Sequence, residues 1–391
     1  MTRQSASGTN LRVGVVGVGH LGQHHARVLA AIPGVTLVGV ADSRPEQARL
    51  VAERLGTRAV DDYRDLLDRV DAVSVAVPTS LHREVAGAFL DRGIATMVEK
   101  PLAANFEDAL AIVELARSRG AVLQVGHIER FNPAFQAIDG LPLAPRFLSC
   151  ERLSTYTFRS TDVGVVLDLM IHDIDLVLAL VDSPVRSVSA VGVSVFGGHE
   201  DMADARVEFV NGCVANLSAS RASYQAARKM RVYSAEGYVS LDFATKQVTT
   251  IQPSERLRQG ELALEGLDLS QAAAVKERVF GTILNVHKSQ AEGREPLALE
   301  LEDFVEAVRT GNRPRVAGDD ALRAMHLADQ VLRSLHSHSW VAGAEEPAAS
   351  FATPGGASTV TTTPMAGHPL AGPVSWRLQS ARETKPTTQG A

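Results

Sequence analysis

Asp168 and His172 stand four residues apart in the run Asp168-Leu169-Met170-Ile171-His172-Asp173-Ile174-Asp175. Four residues are about one turn of α-helix, so the two side chains are expected to share one face. A carboxylate beside an imidazole orients the ring, fixes its tautomer and raises its basicity, as a general base that takes a proton from an alcohol requires. The same spacing also suits a helix N-terminal stretch with acidic residues and one satisfied histidine. What else the chain brings to the pair decides between these readings.

A dinucleotide would give such a base its reaction. Gly17-Val18-Gly19-His20-Leu21-Gly22 follows the apolar run Arg12 to Val18 and opens a helical stretch. There the first glycine permits a tight turn, the second lets backbone approach a pyrophosphate, and the third lets helix pack on strand, with the helix N-terminus favouring negative charge. Asp42 lies 20 residues beyond Gly22 and closes the second apolar run, with Ser43 beside it. A carboxylate at that place accepts hydrogen bonds from an adenosine ribose and repels a 2′-phosphate, so NAD is expected over NADP; Arg44 alone speaks for NADP. Two further strand ends, Val77-Pro78-Thr79-Ser80-Leu81-His82 and Val98-Glu99-Lys100-Pro101, fall where open α/β sheets bind ligands. The expected cofactor contacts are Gly17, Gly19, His20, Leu21, Gly22, Asp42, Ser43, Pro78, Thr79, His82, Glu99 and Lys100. His20, His24 and His25 sit inside the turn and first helix without a carboxylate partner, which reads as phosphate-adjacent or exposed histidine; no metal is expected.

The elements that must position these groups show as alternation. From Leu11 to about Gly126, short apolar runs (Arg12 to Val18, Val35 to Ala41, Ala72 to Val77, Ala95 to Val98, Val122 to Val125) alternate with amphipathic stretches at helical spacing. That pattern predicts βαβ units and a doubly wound parallel sheet, an α/β Rossmann domain over residues 11–130. After Phe131 the order changes to a strand over Arg146 to Phe158, an apolar helix over Gly164 to Leu180, and strands in succession from Val185 to Ile251. Turn signals such as Asn211-Gly212 separate them, so residues 131–340 are expected to form an α+β domain with an open-faced, largely antiparallel sheet that carries its helices on one face. Pro253 to Pro296 is charged and poorly periodic; helices are expected over Leu299 to Arg309 and Asp320 to Leu335, the second capped by Asp319 or Asp320. Residues 1–10 and the Ala-, Gly-, Pro-, Ser- and Thr-rich 341–391 are expected to be disordered.

Composition narrows the function classes. The chain has 391 residues, 45% hydrophobic and 21% charged, and a formal charge of -6 without a clustered basic face, which argues against nucleic acid as a partner. Cys150 and Cys213 lack metal-ligand spacing or a disulfide framework, as suits a reducing cytoplasm. The polar start lacks a signal core, and no apolar run approaches the roughly 20 residues that span a bilayer, so no membrane partner is expected.

Gly17-x-Gly19-x-x-Gly22, Glu99-Lys100-Pro101 and Asp168-x-x-x-His172, in this order between Leu11 and about Ser339, resemble the glucose-fructose oxidoreductase, inositol dehydrogenase and rhizopine-catabolism (Gfo/Idh/MocA) oxidoreductase family. The resemblance implies hydride transfer between a sugar-like carbinol carbon and a nicotinamide, with Lys100, Asp168 and His172 as the catalytic set. Gly126-His127-Ile128-Glu129-Arg130-Phe131-Asn132-Pro133 and the stretch Phe158 to Gly164 are similar to the branch that oxidises UDP-N-acetylglucosamine-type nucleotide sugars at C3. Arg130, Asn132 and Arg159, with Asp168 and His172, are the expected substrate contacts; the competing reading makes Arg130 and Arg159 structural ties between loops. Two alternatives stand beside this one: a dehydrogenase of a free sugar or inositol, and a dinucleotide-binding regulator without catalysis. Apolar positions on the second sheet predict a homo-oligomer.

Overall fold

The computed structural model describes residues 10–141, 143–156, 163–260, 270 and 272–338. The expected disordered ends therefore lie outside the described residues, apart from Asn10.

Six parallel strands form the first sheet: β1 (Leu11–Val16), β2 (Val35–Ala41), β3 (Arg58–Val60), β4 (Ala72–Val75), β5 (Ala95–Glu99) and β6 (Leu123–Gly126), in the order β3-β2-β1-β4-β5-β6. Val13, Val15, Val73, Val75, Met97 and Val98 are fully buried, because helices cover both faces and the strands must be apolar throughout. The crossover helices are α1 (Gly22–Ala31), α2 (Pro45–Leu55), α3 (His82–Leu90) and α4 (Phe106–Arg119). Local chemistry sets their limits: Pro45 starts α2, and the Asn105 side chain caps α4 by accepting from the Asp108 N–H at 2.8 Å. The strands β1 and β4 end two residues before the apolar runs do, since Gly17 leaves extended geometry to make the cofactor turn. The strand β3 leaves no periodic signal in the sequence, since it has three residues and only Val60 is buried.

The second sheet is built after α5 (Pro133–Gln136) from β7 (Pro145–Leu153), then α6 (Ile171–Leu180), then β8 (Val185–Val193), β9 (Met202–Phe209), β10 (Val214–Ser220), β11 (Ala227–Ser234), β12 (Gly237–Asp242) and β13 (Gln247–Pro253). Two short helices, α7 (Glu255–Arg258) and α8 (Ala272–Arg278), precede β14 (Leu284–Gln290). The order is β14-β13-β12-β11-β7-β10-β9-β8, with β7 and β10 parallel and the other pairs antiparallel. The alternation expected of a one-sided sheet is present in β7, where Leu148, Cys150 and Arg152 are buried and their neighbours are not. β14 lies in the stretch read as aperiodic; it is an edge strand with Asn285 to Lys288 all exposed, so it has no in-out pattern to detect.

Two long helices finish the described chain, α9 (Pro296–Thr310) and α10 (Gly318–Ser337). α9 returns to the first sheet: its Leu297, Leu301, Phe304 and Val305 join a core with Val13, Val15 and Leu29. The sequence boundary after residue 130 is thus not a boundary in packing, because a late helix completes the early domain. Asp320 serves α10 as its third residue, where its carboxylate accepts from the Ala317 N–H at 3.0 Å. One face of the second sheet packs against α6 and α10; the other carries Phe147, Tyr233 and Tyr238, whose rings lie 5.8 Å and 4.8 Å apart in sequence of contact.

Candidate active site

The glycine turn is closed by backbone approach. Gly17 has φ +81°, and a Cβ there would stand 2.7 Å from main-chain atoms of Ala76 and Val77. A Cβ on Gly22 would fall 1.7 Å from the Gly17 carbonyl oxygen. Gly19 differs, since a Cβ there would meet only the Arg44 guanidinium at 3.7 Å, leaving that side open to a ligand. It opens on a cleft of about 730 Å³ whose walls include Gly17, Gly19, His20, Leu21, Asp42, Ser43 and Pro78. The Asp42 carboxylate is fixed at the second strand end, accepting from the Val18 N–H at 2.9 Å and the Arg44 N–H at 3.0 Å. An open glycine face, a fixed carboxylate at the ribose position and a cleft of this size fit a dinucleotide. His20 and His24 meet edge to face with ring centroids 6.0 Å apart, and no group of metal-ligating side chains occurs among the described residues.

The same cleft is walled by residues the sequence reading missed: Asp62, Tyr63 and Arg64, from the turn after β3. The Arg64 guanidinium lies 4.7 Å over the Tyr63 ring, and Asp62 caps the turn by accepting from the Arg64 N–H. The Asp61-Asp62 pair was the available signal, a turn opener after a strand too short to recognise.

His82 is not among the residues that wall this cleft. It is buried, with one ring nitrogen 3.0 Å from the Pro101 carbonyl oxygen and the other 3.0 Å from that of Val77. Burial pushes the imidazole towards its neutral form, whose single N–H can donate to one of these two carbonyls, so the ring packs between the two strand-end loops. Glu99 is likewise turned inward. Its Oε1 lies 2.9 Å from His25 Nε2, its Oε2 accepts from the Lys100 N–H at 3.1 Å, and His25 Nδ1 lies 2.9 Å from Ser74 Oγ. Burial alone would raise its pKa, but His25 and Lys100 hold it below the usual carboxylate range. This sealed chain beneath the sheet end fixes the backbone that carries Lys100; Thr79 opens the short turn after Pro78.

Lys100 reaches across to the second domain. Its ammonium donates to the Asp168 main-chain oxygen at 2.7 Å and to Asp168 Oδ1 at 3.1 Å. The expected Asp168–His172 contact is absent among the described residues: His172 Nδ1 is buried without a partner. The reason is the helix itself, since Val166–Met170 is a π turn that leads into α6, wound more widely than the α-helix that puts residues four apart in one row. Asp168 is captured by the lysine. His172 is surrounded by positive charge, and burial first, then Lys100, Arg152, His127 and Arg228, push its pKa well below the ordinary value. The ring is therefore neutral near neutral pH, and Nδ1 is the nitrogen sealed from solvent while the residue as a whole is only partly covered.

What orients α6 is a pair of buried ion clamps. Arg152 donates to both oxygens of Asp173 at 2.9 and 2.8 Å and to Glu129 at 2.8 Å; Arg130 donates to both oxygens of Asp175 at 2.6 and 2.9 Å. Arg130 thus ties two elements together through Nε and Nη2, both of which donate to Asp175. Asn132 is also structural: its amide donates to Glu129 and to the Phe243 carbonyl, and its oxygen caps α5 through the Ala134 N–H. Arg159 lies outside the described residues.

Residues 11–127 match an oxidoreductase family model with an NAD-binding Rossmann fold, and residues 144–240 match the Gfo/Idh/MocA C-terminal domain. The chain is 38% identical over 311 residues to UDP-N-acetylglucosamine 3-dehydrogenase from Acidithiobacillus ferrooxidans, an alignment covering 78% of this chain and 90% of that protein. It is 30% identical over 331 residues to scyllo-inositol 2-dehydrogenase (NAD(+)) from Bacillus subtilis, covering 80% and 90%. A solved structure of the Acidithiobacillus enzyme superposes with a TM-score of 0.74 at 36% identity, over 84% of this chain and 98% of the other. With both sheets matched and the cofactor cleft in place, the chain belongs to the Gfo/Idh/MocA oxidoreductase family, as an NAD-binding dehydrogenase.

Proposed function

We propose that this dehydrogenase oxidises a secondary hydroxyl of a sugar to the ketone, specifically C3 of a UDP-N-acetylglucosamine-type nucleotide sugar. The meeting of Lys100, Asp168 and a neutral His172 at the carboxyl edge of the first sheet carries the reading. The relative that bears this name, 38% identical, supports the substrate class.

The bound nicotinamide would supply the hydride acceptor, held by the turn from Gly17 to Gly22 and by Asp42. The residues of the chain manage the proton and the charge. His172, kept neutral, accepts the hydroxyl proton at Nε2. An ammonium has three donors and Asp168 takes two of the Lys100 contacts, so the third remains for the reacting oxygen, where it stabilises developing negative charge. Asp168 positions Lys100, in place of the His172-orienting role expected from spacing.

The open sheet face, with Tyr233 41% exposed against Phe147 and Tyr238, supports a homo-oligomer built on that face. No described helix is long and apolar enough to cross a membrane, and both cysteines are buried free thiols, which supports a reducing, cytoplasmic setting. A turnover screen of UDP-N-acetylglucosamine, free N-acetylglucosamine and inositols with NAD and NADP tests the reading. NADH formation with the nucleotide sugar is expected; turnover confined to inositols would overturn the substrate and favour the second relative's class.

A further inference from the structure

Arg152 and Arg228 face one another across β7 and β11 as directly paired residues. Opposed residues of an antiparallel pair project from the same face. That face is the covered one, because Leu148 and Cys150 on β7 and Met230 and Val232 on β11 are buried at the same parity. The two cations have opposite fates. Arg152 is 4% exposed and held by Asp173 and Glu129, whereas Arg228 stands at the uncovered end of its strand, exposed, with no side-chain partner among the described residues. Arg152 already has two carboxylates against it, whereas no side chain among the described residues pairs with Arg228, which leaves that guanidinium available to an anion. Arg228 also lies close enough for its charge to bear on both His172 and Asp173.

We propose that Arg228 is the substrate-anion anchor, forking the diphosphate of a nucleotide sugar while the sugar hydroxyl lies at His172. The proposal rests on the nucleotide-sugar reading above and gives it a specificity residue. A planar guanidinium matches phosphate oxygens in pairs, which a neutral sugar or inositol could not use.

The test measures UDP binding by calorimetry to NAD-loaded wild type, Arg228→Ala and Arg228→Lys, alongside turnover of UDP-N-acetylglucosamine. Loss of one charge-assisted fork should weaken UDP by about 10- to 100-fold in the alanine variant, with lysine between, since it offers a point charge without the fork. For a nucleotide-sugar substrate the loss should fall on KM more than on kcat. Equal UDP affinity in all three proteins, or none in the wild type, overturns the anchor, whatever the substrate. Arg228-dependent UDP binding without turnover of UDP-N-acetylglucosamine keeps the anchor and overturns only the choice of sugar. Melting curves recorded on the same samples separate a folding defect from a binding one, and an unfolded alanine variant leaves the lysine variant to decide.

Discussion

The cofactor half and the acid-base half of the site are held by different means. Around the dinucleotide cleft the fixing contacts are backbone ones, with Gly17 against Ala76 and Val77, Gly22 against the Gly17 carbonyl, and Asp42 on two main-chain N–H groups. Around His172 they are buried ion pairs between residues far apart in sequence, with Arg130 on Asp175, Arg152 on Asp173 and Glu129, and Lys100 on Asp168. The glycine turn has no room for a single added methyl, whereas the ion-clamped half is most sensitive to loss of a single charge.

The largest effect should come from unpairing a clamp. Asp175→Asn leaves the Arg130 fork without its charge in a buried place, and should cost about 3–5 kcal/mol in denaturant unfolding. A loss below about 1 kcal/mol would place this pair with surface ion pairs instead. Gly22→Ala comes next. Its Cβ would overlap the Gly17 carbonyl, so the turn must open, and NAD affinity should fall at least about tenfold while Arg130–Asp175 stays intact. Unchanged NAD affinity by fluorescence titration would contradict the backbone-built cleft.

The smallest effect, and the sharpest in sign, concerns buried titratable groups. Burial holds His82, His127 and His172 below the ordinary histidine value. The unfolded chain takes up protons that these rings refuse, so their stability contribution is intact above about pH 6.5 and is lost as pH falls below it. Glu300 on α9 runs the other way. It is fully buried, both its oxygens lack a partner among the described residues, and burial with the charges of Glu99, Asp303 and Asp175 pushes its pKa well above the carboxylate range. Protonated in the fold, it weakens stability as pH rises past the ordinary carboxyl pKa. Glu300→Gln should therefore stabilise the protein by about 1 kcal/mol near neutral pH, with the gain shrinking towards acid pH. Destabilisation by the same amount at every pH would show that the carboxyl makes a contact the amide cannot.

The same contrast explains what could be read from the sequence. Gly17, Gly19, Gly22 and Asp42 act through local geometry and sit near one another in the chain, so motif and strand pattern together located the cleft and the first sheet. The clamps do not work that way. Arg130 and Asp175 are polar residues in runs whose pairing needs the fold, and Arg130 therefore read equally well as a substrate donor. Asp168 was placed on His172 by α-helical spacing, and the π turn at Val166–Met170, which no residue pattern announces, gave it to Lys100. Glu129, Arg152 and Arg228 carried no local signal for the same reason, and β14 escaped because an exposed edge strand has no alternation.

The central claim, that His172 accepts the substrate proton in an otherwise intact NAD site, is tested most directly by His172→Ala under single-turnover conditions with UDP-N-acetylglucosamine. NADH formation should fall by about 10²- to 10⁴-fold while the NAD dissociation constant stays within about threefold of wild type. Near-normal NADH formation in that variant would contradict the assignment.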